Sequence, residues 1–198
     1  MLDQPFFSEK KYDPSDLFGA LLHAPRLTQK LIELGSSIRS LGAVGDEAEA
    51  ALPTDFVEFI AFVVFTELHT EARARGSAFA YTRPMVNHIS RAVESGIRPE
   101  AIHALRARDD GALLPEELEL AVFARSVLGG EVTDALWTRM TARLGPRRAI
   151  EAASFVLLDF FMCRLESALG LADAPEQEVD ELLREYTEKY RGTGGLSL

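Results

Sequence analysis

The chain has 198 residues, of which 47% are hydrophobic and 26% charged, and its 31 acidic residues outnumber 21 basic ones for a formal net charge of −10. This composition is typical of a globular domain and excludes disorder over most of the chain. The acidic balance disfavours nucleic acid and anionic membrane surfaces as main partners. The longest apolar run, residues 59–65, is too short to span a membrane. Residues 1–12 lack the apolar core of a signal peptide, and we expect a cytoplasmic protein.

Prolines and glycines divide the chain in the order typical of helices, with proline near the start and glycine just past the end. Apolar residues recur at spacings of three and four, and no long stretch alternates in the manner of a strand. The pattern predicts an all-α fold with one helical domain over residues 13–190, and loosely held ends at residues 1–12 and 191–198. The proposed helix starts are Pro53, Pro99, Pro115, Pro146 and Pro175, and the proposed stops are Gly76, Gly129-Gly130 and Gly170.

Two of the predicted helical segments are apolar on nearly every face. They cover residues 56–65 and 149–161. A helix of this kind must be enclosed by other helices, and a chain of this length encloses two of them only with difficulty. We therefore expect a helical bundle with a substantial subunit interface in a closed, symmetric homo-oligomer.

A faint internal two-fold repeat relates residues 14–76 to residues 115–170. Each part runs from a proline through two helices to a proline-led, long apolar helix. The helix before that proline ends at Leu41-Gly42 in the first part and at Leu144-Gly145 in the second. A glutamate recurs five residues after the proline, as Glu58 and Glu151.

Residues 67–97 carry the side chains best suited to chemistry. His88 lies one turn after Pro84, on the helix face that it shares with Ala92. The small side chain of Ala92 allows close helix approach, which would bury the imidazole. Glu67 and Glu71 share one face of the preceding helix. A half-buried carboxylate that faces an imidazole forms a pair suited to proton transfer.

The order His-x-x-x-Ala-x-x-x-Gly after a long apolar helix resembles the carboxymuconolactone decarboxylase family, whose superfamily also contains the alkyl hydroperoxidase D-like proteins. The resemblance covers roughly residues 14–171. It implies an all-α, alkyl hydroperoxidase D-like bundle that assembles into dimers, trimers or hexamers, with its active site between the long helix and the histidine-bearing helix. The residues that carry it are 25–27, 52–58, 88–102, 114–119 and 144–151.

The chain departs from both branches of this superfamily just before the histidine. The hydroperoxidases have a Cys-x-x-Cys pair where this chain has Tyr81 and Pro84, so peroxide reduction by that thiol mechanism is excluded. The decarboxylases have Tyr-Glu-Trp where this chain has Arg83, Pro84 and Met85. The upstream glutamate of the hydroperoxidase proton relay falls, by residue count, at His69, and a small shift in the alignment would place it at Glu67 or Glu71.

The resemblance and the residues together favour an enzyme without a cofactor that moves a proton on a small anionic organic substrate. Decarboxylation, lactone isomerisation and cyclisation all fit a site with one positioned base and a charge clamp. We expect His88 to be the acid/base, Glu67 or Glu71 to orient it, and Arg83 to hold the anionic group. The further candidates are Tyr81 as a catalytic residue, and Met85 and His69 as substrate-binding residues.

Two other functions remain open at this stage. One is a non-catalytic oligomeric protein that binds a ligand or a partner helix. The other is a cysteine-less relative of the hydroperoxidases without thiol peroxidase activity. Each site candidate also has a structural alternative: His88 at a helix contact, His69 at the surface, Tyr81 in packing, Arg83 in an ion pair, and Glu67 and Glu71 on a solvated face.

Metal and thiol chemistry have little support in the sequence. His69 and Glu71 are two residues apart and point to opposite sides of a helix, so we expect no metal site. The one cysteine, Cys163, excludes an internal disulfide. It lies in an apolar run, which predicts a small buried hydrophobe with a raised pKa and low reactivity.

Overall fold

The chain folds into helices in a computed structural model that describes residues 17–38, 51–190 and 196. No strand occurs in these ranges, so the all-α prediction is confirmed. The predictions for residues 1–12, for the helix end at Leu41-Gly42 and for most of the tail fall outside the described residues. The helices are α1 (Leu17–Leu21), α2 (Pro25–Ile38), α3 (Thr54–Ala74), α4 (Thr82–Glu94), α5 (Pro99–Ala107), α6 (Pro115–Gly129), α7 (Asp134–Ala168) and α8 (Glu176–Tyr190), with a 3-10 turn at Asp110–Ala112.

The helix boundaries follow the prolines and glycines of the sequence. Pro53 directly precedes α3, and Pro99 and Pro115 are the first residues of α5 and α6. A proline ring costs no hydrogen bond in the first turn, because the amide there has no intrahelical partner. Gly130 ends α6 with φ 69°, a conformation that glycine adopts without the strain a Cβ atom would cause.

α3 forms the centre of the bundle. Every residue from Asp55 to Thr66 is buried, and α4, α5, α6 and α7 all pack against this helix. The expectation that the apolar segment 56–65 is enclosed by other helices is therefore confirmed. A carboxylate carried on this segment must find its partners inside the protein.

α7 bends in the middle and is exposed along part of its second half. Gly145 has φ 80° and ψ 158°, outside the helical region, and Pro146 follows it. The sequence predicted one helix end and one helix start at this point, and the bend separates the two halves. Within this chain the segment 149–161 is not enclosed on all faces, because Ile150, Leu157 and Phe161 are 56%, 53% and 43% exposed.

α4, which carries His88, lies between α3 and α8 and packs against both. The helix that carries His88 is therefore held between two other helices of the bundle. Among the described helices, none combines the length and the apolar character needed to cross a membrane.

Candidate functional site

The N-terminus of α4 is held by a carboxylate from a distant part of the chain. Asp173, in the connection between α7 and α8, accepts hydrogen bonds through Oδ1 from the Thr82 hydroxyl at 2.8 Å and the Arg83 amide at 2.7 Å. Its Oδ2 accepts from the Ala80 amide at 2.6 Å. This carboxylate satisfies amides that the helix leaves without partners and lies at the positive end of the helix dipole. The start of α4 is therefore fixed about two turns before His88.

His88 faces a buried carboxylate across the contact between α4 and α3. Its Nδ1 lies 2.7 Å from Oε2 of Glu58. The side chain of Glu58 is 2% exposed and that of His88 is 18% exposed. The ring of Phe65 packs edge-on against the imidazole, with 5.1 Å between ring centroids. An ionised carboxylate only accepts hydrogen bonds, so the neutral imidazole carries its proton on Nδ1 and leaves Nε2 as an acceptor.

A guanidinium lies beside the same carboxylate. Arg91 follows His88 by one turn of α4, and its Nη1 is 3.5 Å from Oε1 of Glu58. The charge of Glu58 thus faces an imidazole and a cation, which offset the cost of burying it. The Arg91 side chain is 49% exposed, so part of it is accessible to solvent.

Glu67, one of the two glutamates expected to orient His88, is engaged elsewhere. Its Oε1 accepts a hydrogen bond from Nε of Arg125 at 2.7 Å, and its Oε2 pairs with Arg108. It lies nine residues after Glu58 on α3, which is about 14 Å further along the helix axis. Glu58 therefore occupies the place that the sequence analysis gave to Glu67 or Glu71.

Glu71 and Tyr81 belong to a second polar cluster, around Arg164 of α7. Glu71 pairs with Arg164 and with Arg75, each at 2.5 Å. The hydroxyl of Tyr81 accepts a hydrogen bond from Nη1 of Arg164 at 2.9 Å. Tyr81 is 2% exposed and has φ 60°, a left-handed conformation that is strained for a bulky residue. This cluster joins the end of α3 to α7, and no described hydrogen bond links it to His88.

Arg83 and Met85 are placed on the sides of α4 that pack against other helices. Nη1 of Arg83 is 3.5 Å from Oε1 of Glu178 on α8, which agrees with the ion-pair alternative for this residue. Met85 is fully buried, with 0% of its surface exposed. Neither residue shares a described hydrogen bond with His88.

His69 is buried rather than exposed at the surface. Its Nδ1 lies 2.7 Å from the Ala80 carbonyl oxygen, and the residue is 8% exposed. Its Nε2 lies 3.6 Å from Oε1 of Glu176 on α8. The imidazole therefore connects α3, the segment before α4 and the start of α8.

Cys163 is a buried free thiol. The residue is 3% exposed, and burial, with a smaller contribution from Asp159, raises the pKa of its thiol well above the ordinary value. The prediction of a small buried hydrophobe with a raised pKa is confirmed. In the ranges that the structure describes, no group of three or more His, Cys, Asp or Glu side chains is arranged to hold a metal ion.

Comparison with known proteins adds no relative: no protein-family model matches the chain, and no curated protein or solved structure shows significant similarity to it. The function is therefore argued from the geometry around Glu58 and His88.

Glu58 is the site residue that residue spacing alone does not connect with His88, because thirty residues separate the two and no local pattern joins them. The available signal was its position: a carboxylate in a helix that is otherwise apolar on all faces needs a polar partner.

Proposed function

We propose that this chain is a carboxymuconolactone decarboxylase-like enzyme of the lyase or isomerase type, which moves a proton on a small anionic organic substrate. His88 is the acid/base and Glu58 is the carboxylate that orients it. The observation that carries the proposal is the 2.7 Å contact between Nδ1 of His88 and Oε2 of the buried Glu58. In this proposal the enzyme works without a cofactor, as a homo-oligomer in the cytoplasm.

The pair supplies the parts that general acid–base catalysis requires. Glu58 holds Nδ1–H and stabilises the imidazolium, so Nε2 can take up and return a proton. In isomerisation or cyclisation, Nε2 removes a proton from a carbon next to a carbonyl group. In decarboxylation, Nε2 first takes a proton from water, which gives the imidazolium that Glu58 stabilises. The bond between the substrate carbon and its carboxylate then breaks, the electron pair stays on the carbon, and the imidazolium donates the Nε2 proton that replaces carbon dioxide.

Arg91 takes the role of charge clamp that the sequence analysis gave to Arg83. Its guanidinium is half exposed and lies beside Glu58, one turn from His88. The guanidinium of Arg83 instead lies against Glu178 of α8. A planar guanidinium binds a carboxylate through two parallel hydrogen bonds, which would fix the substrate relative to Nε2.

A turnover assay tests the catalytic role of the pair. The probe is a carboxylated unsaturated lactone, and its loss is followed by ultraviolet absorbance. We expect His88→Gln to lower kcat by about 10²- to 10⁴-fold, the usual contribution of a general acid/base, with a smaller loss for Glu58→Gln. The matched control is His103→Gln on α5, whose Nε2 lies 3.0 Å from the Thr187 hydroxyl. Wild-type rates in His88→Gln, with an unchanged circular dichroism spectrum, would overturn the proposal.

The protonation of the imidazole gives a second test that needs no substrate. Nitrogen-15 NMR distinguishes the two neutral tautomers of a histidine ring. We expect neutral His88 to carry its proton on Nδ1, because Glu58 accepts there. A ring protonated on Nε2 would contradict the assignment of Nε2 as the base.

Non-catalytic binding by an oligomer is the second candidate function. The feature that bears on it is an open and mainly acidic groove of about 450 Å³ on the surface of α8, whose lining includes no candidate site residue. Native mass spectrometry of gently purified protein tests this alternative. A retained ligand in a protein that turns over no lactone would favour binding. The residues that line the groove are Glu178, Glu181, Leu182, Arg184, Glu185 and Glu188.

A further inference from the structure

α8 buries few of its side chains, in contrast with the helix at the centre of the bundle. Val179 and Leu183 are the buried residues among its 15, whereas 15 of the 21 residues of α3 are buried. Leu182, Tyr186 and Tyr190 are partly buried and pack against the same core. These positions share one face of the helix, so α8 rests on the bundle through a single apolar face.

α8 lies against α4 and α5 and packs against both helices. Near its start, Oδ1 of Asp180 is 2.8 Å from Nη1 of Arg106 on α5. Near its end, the hydroxyl of Thr187 is 3.0 Å from Nε2 of His103 on the same helix. Contacts with α5 therefore extend along most of α8, in the way that an amphipathic helix lies on the surface of a partner.

Charged groups tie the first turn of α8 to three other helices. Oε1 of Glu176 is 3.3 Å from Nη1 of Arg73 on α3, and its Oε2 is 3.9 Å from Nη2 of Arg106. Oε1 of Glu178 is 3.5 Å from Nη1 of Arg83 on α4. Arg106 thus faces two carboxylates of α8. Its side chain is 17% exposed, so water screens its contacts less than those of a surface ion pair.

The connection just before α8 is anchored by contacts of its own. Asp173 binds the start of α4, and the Ala174 carbonyl accepts a hydrogen bond from the Thr82 hydroxyl. Neither contact involves a residue of α8. The chain up to Pro175 is therefore fixed independently of the helix that follows, and α8 stays at a high effective concentration near its place on the bundle.

We propose that α8 is a strap, a helix that detaches from the bundle as one unit while the other helices stay folded. Pro175 is the root of the strap, and the ion pairs of its first turn hold it closed. A helix of 15 residues is marginal on its own in water. The detached strap therefore loses its helical hydrogen bonds, and its amides exchange with solvent.

The closed strap supports α4 from the side that is turned away from Glu58. α4 presents Arg83 to α8 and His88 to α3, and their five-residue separation places them about 140° apart around the helix. Release of the strap removes one of the two helices between which α4 is held. The release is a property of the fold and does not depend on the proposed function.

Amide hydrogen exchange of the full chain, followed residue by residue by NMR, tests the release. We expect the amides of residues 180–190 to share one opening constant, well above that of α3, because a unit opens all of them together. Arg106→Gln removes two charge contacts at the start of the strap. It should raise this constant about fivefold at every amide of α8, including those of the last turn, and leave α3 unchanged.

The matched control is Arg143→Gln on α7. Arg143 is 26% exposed and pairs with Glu119 of α6 at 2.5 Å, so this variant should leave exchange in α8 unchanged. A second variant keeps the proposal decidable if Arg106→Gln fails to fold. Glu178→Gln weakens the contact with Arg83 and should raise the opening constant of α8 about twofold.

Two results would overturn the strap. The first is exchange in α8 that is as slow as in α3, since α8 would then open only when the whole chain unfolds. The second is exchange that becomes steadily faster toward Tyr190 and that a folded variant of Arg106 or Glu178 leaves unchanged in the last turn, which is fraying of a helix end. Neither measurement uses a substrate, so the strap and the proposed function can fail separately.

Discussion

The two proline-led apolar segments share a sequence pattern and have different surroundings. The segment of α3 follows Pro53 and is buried on every side, whereas the segment of α7 follows Pro146 and leaves one row half exposed. Each carries a glutamate five residues after its proline. Glu58 on α3 is 2% exposed and contacts His88, while Glu151 on α7 is 15% exposed and pairs with Arg147.

The difference shows how position in a bundle decides what one sequence pattern does. A carboxylate on a central helix must have its charge compensated by neighbouring elements, and this requirement brings Glu58, His88 and Arg91 together. On a peripheral helix the corresponding Glu151 pairs with a local arginine, and the apolar row stays partly open to solvent. One pattern therefore leads to a candidate site in α3 and to a partly exposed apolar row in α7.

The largest expected difference between the two segments is in core stability. Phe62→Ala on α3 removes a fully buried ring, with 0% exposed, and should lower the free energy of unfolding by about 4 kcal/mol. Leu157→Ala on α7 removes a side chain that is 53% exposed and should cost less than about 1 kcal/mol. Urea denaturation measures both losses. Equal losses would mean that α7 is as enclosed as α3.

The second largest expected difference is between the stability costs of removing the two glutamates. Glu58→Ala leaves His88 and Arg91 without their buried anion and should cost about 3 kcal/mol. Glu151→Ala loses a contact of 2.8 Å with an Arg147 side chain that is 50% exposed, but it also removes a carboxylate oxygen that is buried without a hydrogen-bond partner, so it should cost less than about 1 kcal/mol. Thermal melts of both variants at the same pH measure the two costs. A cost for Glu151→Ala as large as that for Glu58→Ala would contradict the contrast.

Sequence alone predicted the helices better than the site. Proline position, glycine position and apolar spacing are local signals, and they gave the starts of α3, α5 and α6 and the bend at Gly145. The partner of His88 is not a local signal, because the approach of α3 and α4 sets it. Residue spacing suggested Glu67 and Glu71, yet arginines from other helices bind both. The exposed row on α7 was also hidden, since an apolar sequence does not tell which face another helix will cover.

Asp173 links the two regions, since it follows α7 and holds the start of the helix that packs against α3. Asp173→Ala removes an acceptor for the amides of Ala80 and Arg83 and for the hydroxyl of Thr82. We expect a loss of about 2 kcal/mol in the free energy of unfolding. Hydrogen exchange should show faster opening at the first turn of α4.

The matched control for Asp173 is Asp180→Ala. Asp180 is 65% exposed and accepts from Arg106 at 2.8 Å, so its removal should cost less than about 0.5 kcal/mol. If Asp173→Ala cost no more than this control, the remote cap would contribute nothing to the position of α4.

The smallest expected effect is a pH dependence of stability that comes from Cys163, which lies on the buried face of α7. Burial raises the pKa of this thiol well above its ordinary value of 9.0, so the folded protein keeps a proton that the unfolded chain releases. The stability that this protonated thiol contributes is fully present below pH 9. It is lost as the pH rises further, by up to about 1.4 kcal/mol per pH unit. The free energies of unfolding of wild type and Cys163→Ala are measured by denaturation at each pH from 7 to 10.5. Plotted against pH, the two should differ by a constant amount at low pH and converge above about pH 9. Curves that stay parallel throughout would show that this side of α7 admits solvent, and the contrast between its two faces would then be lost.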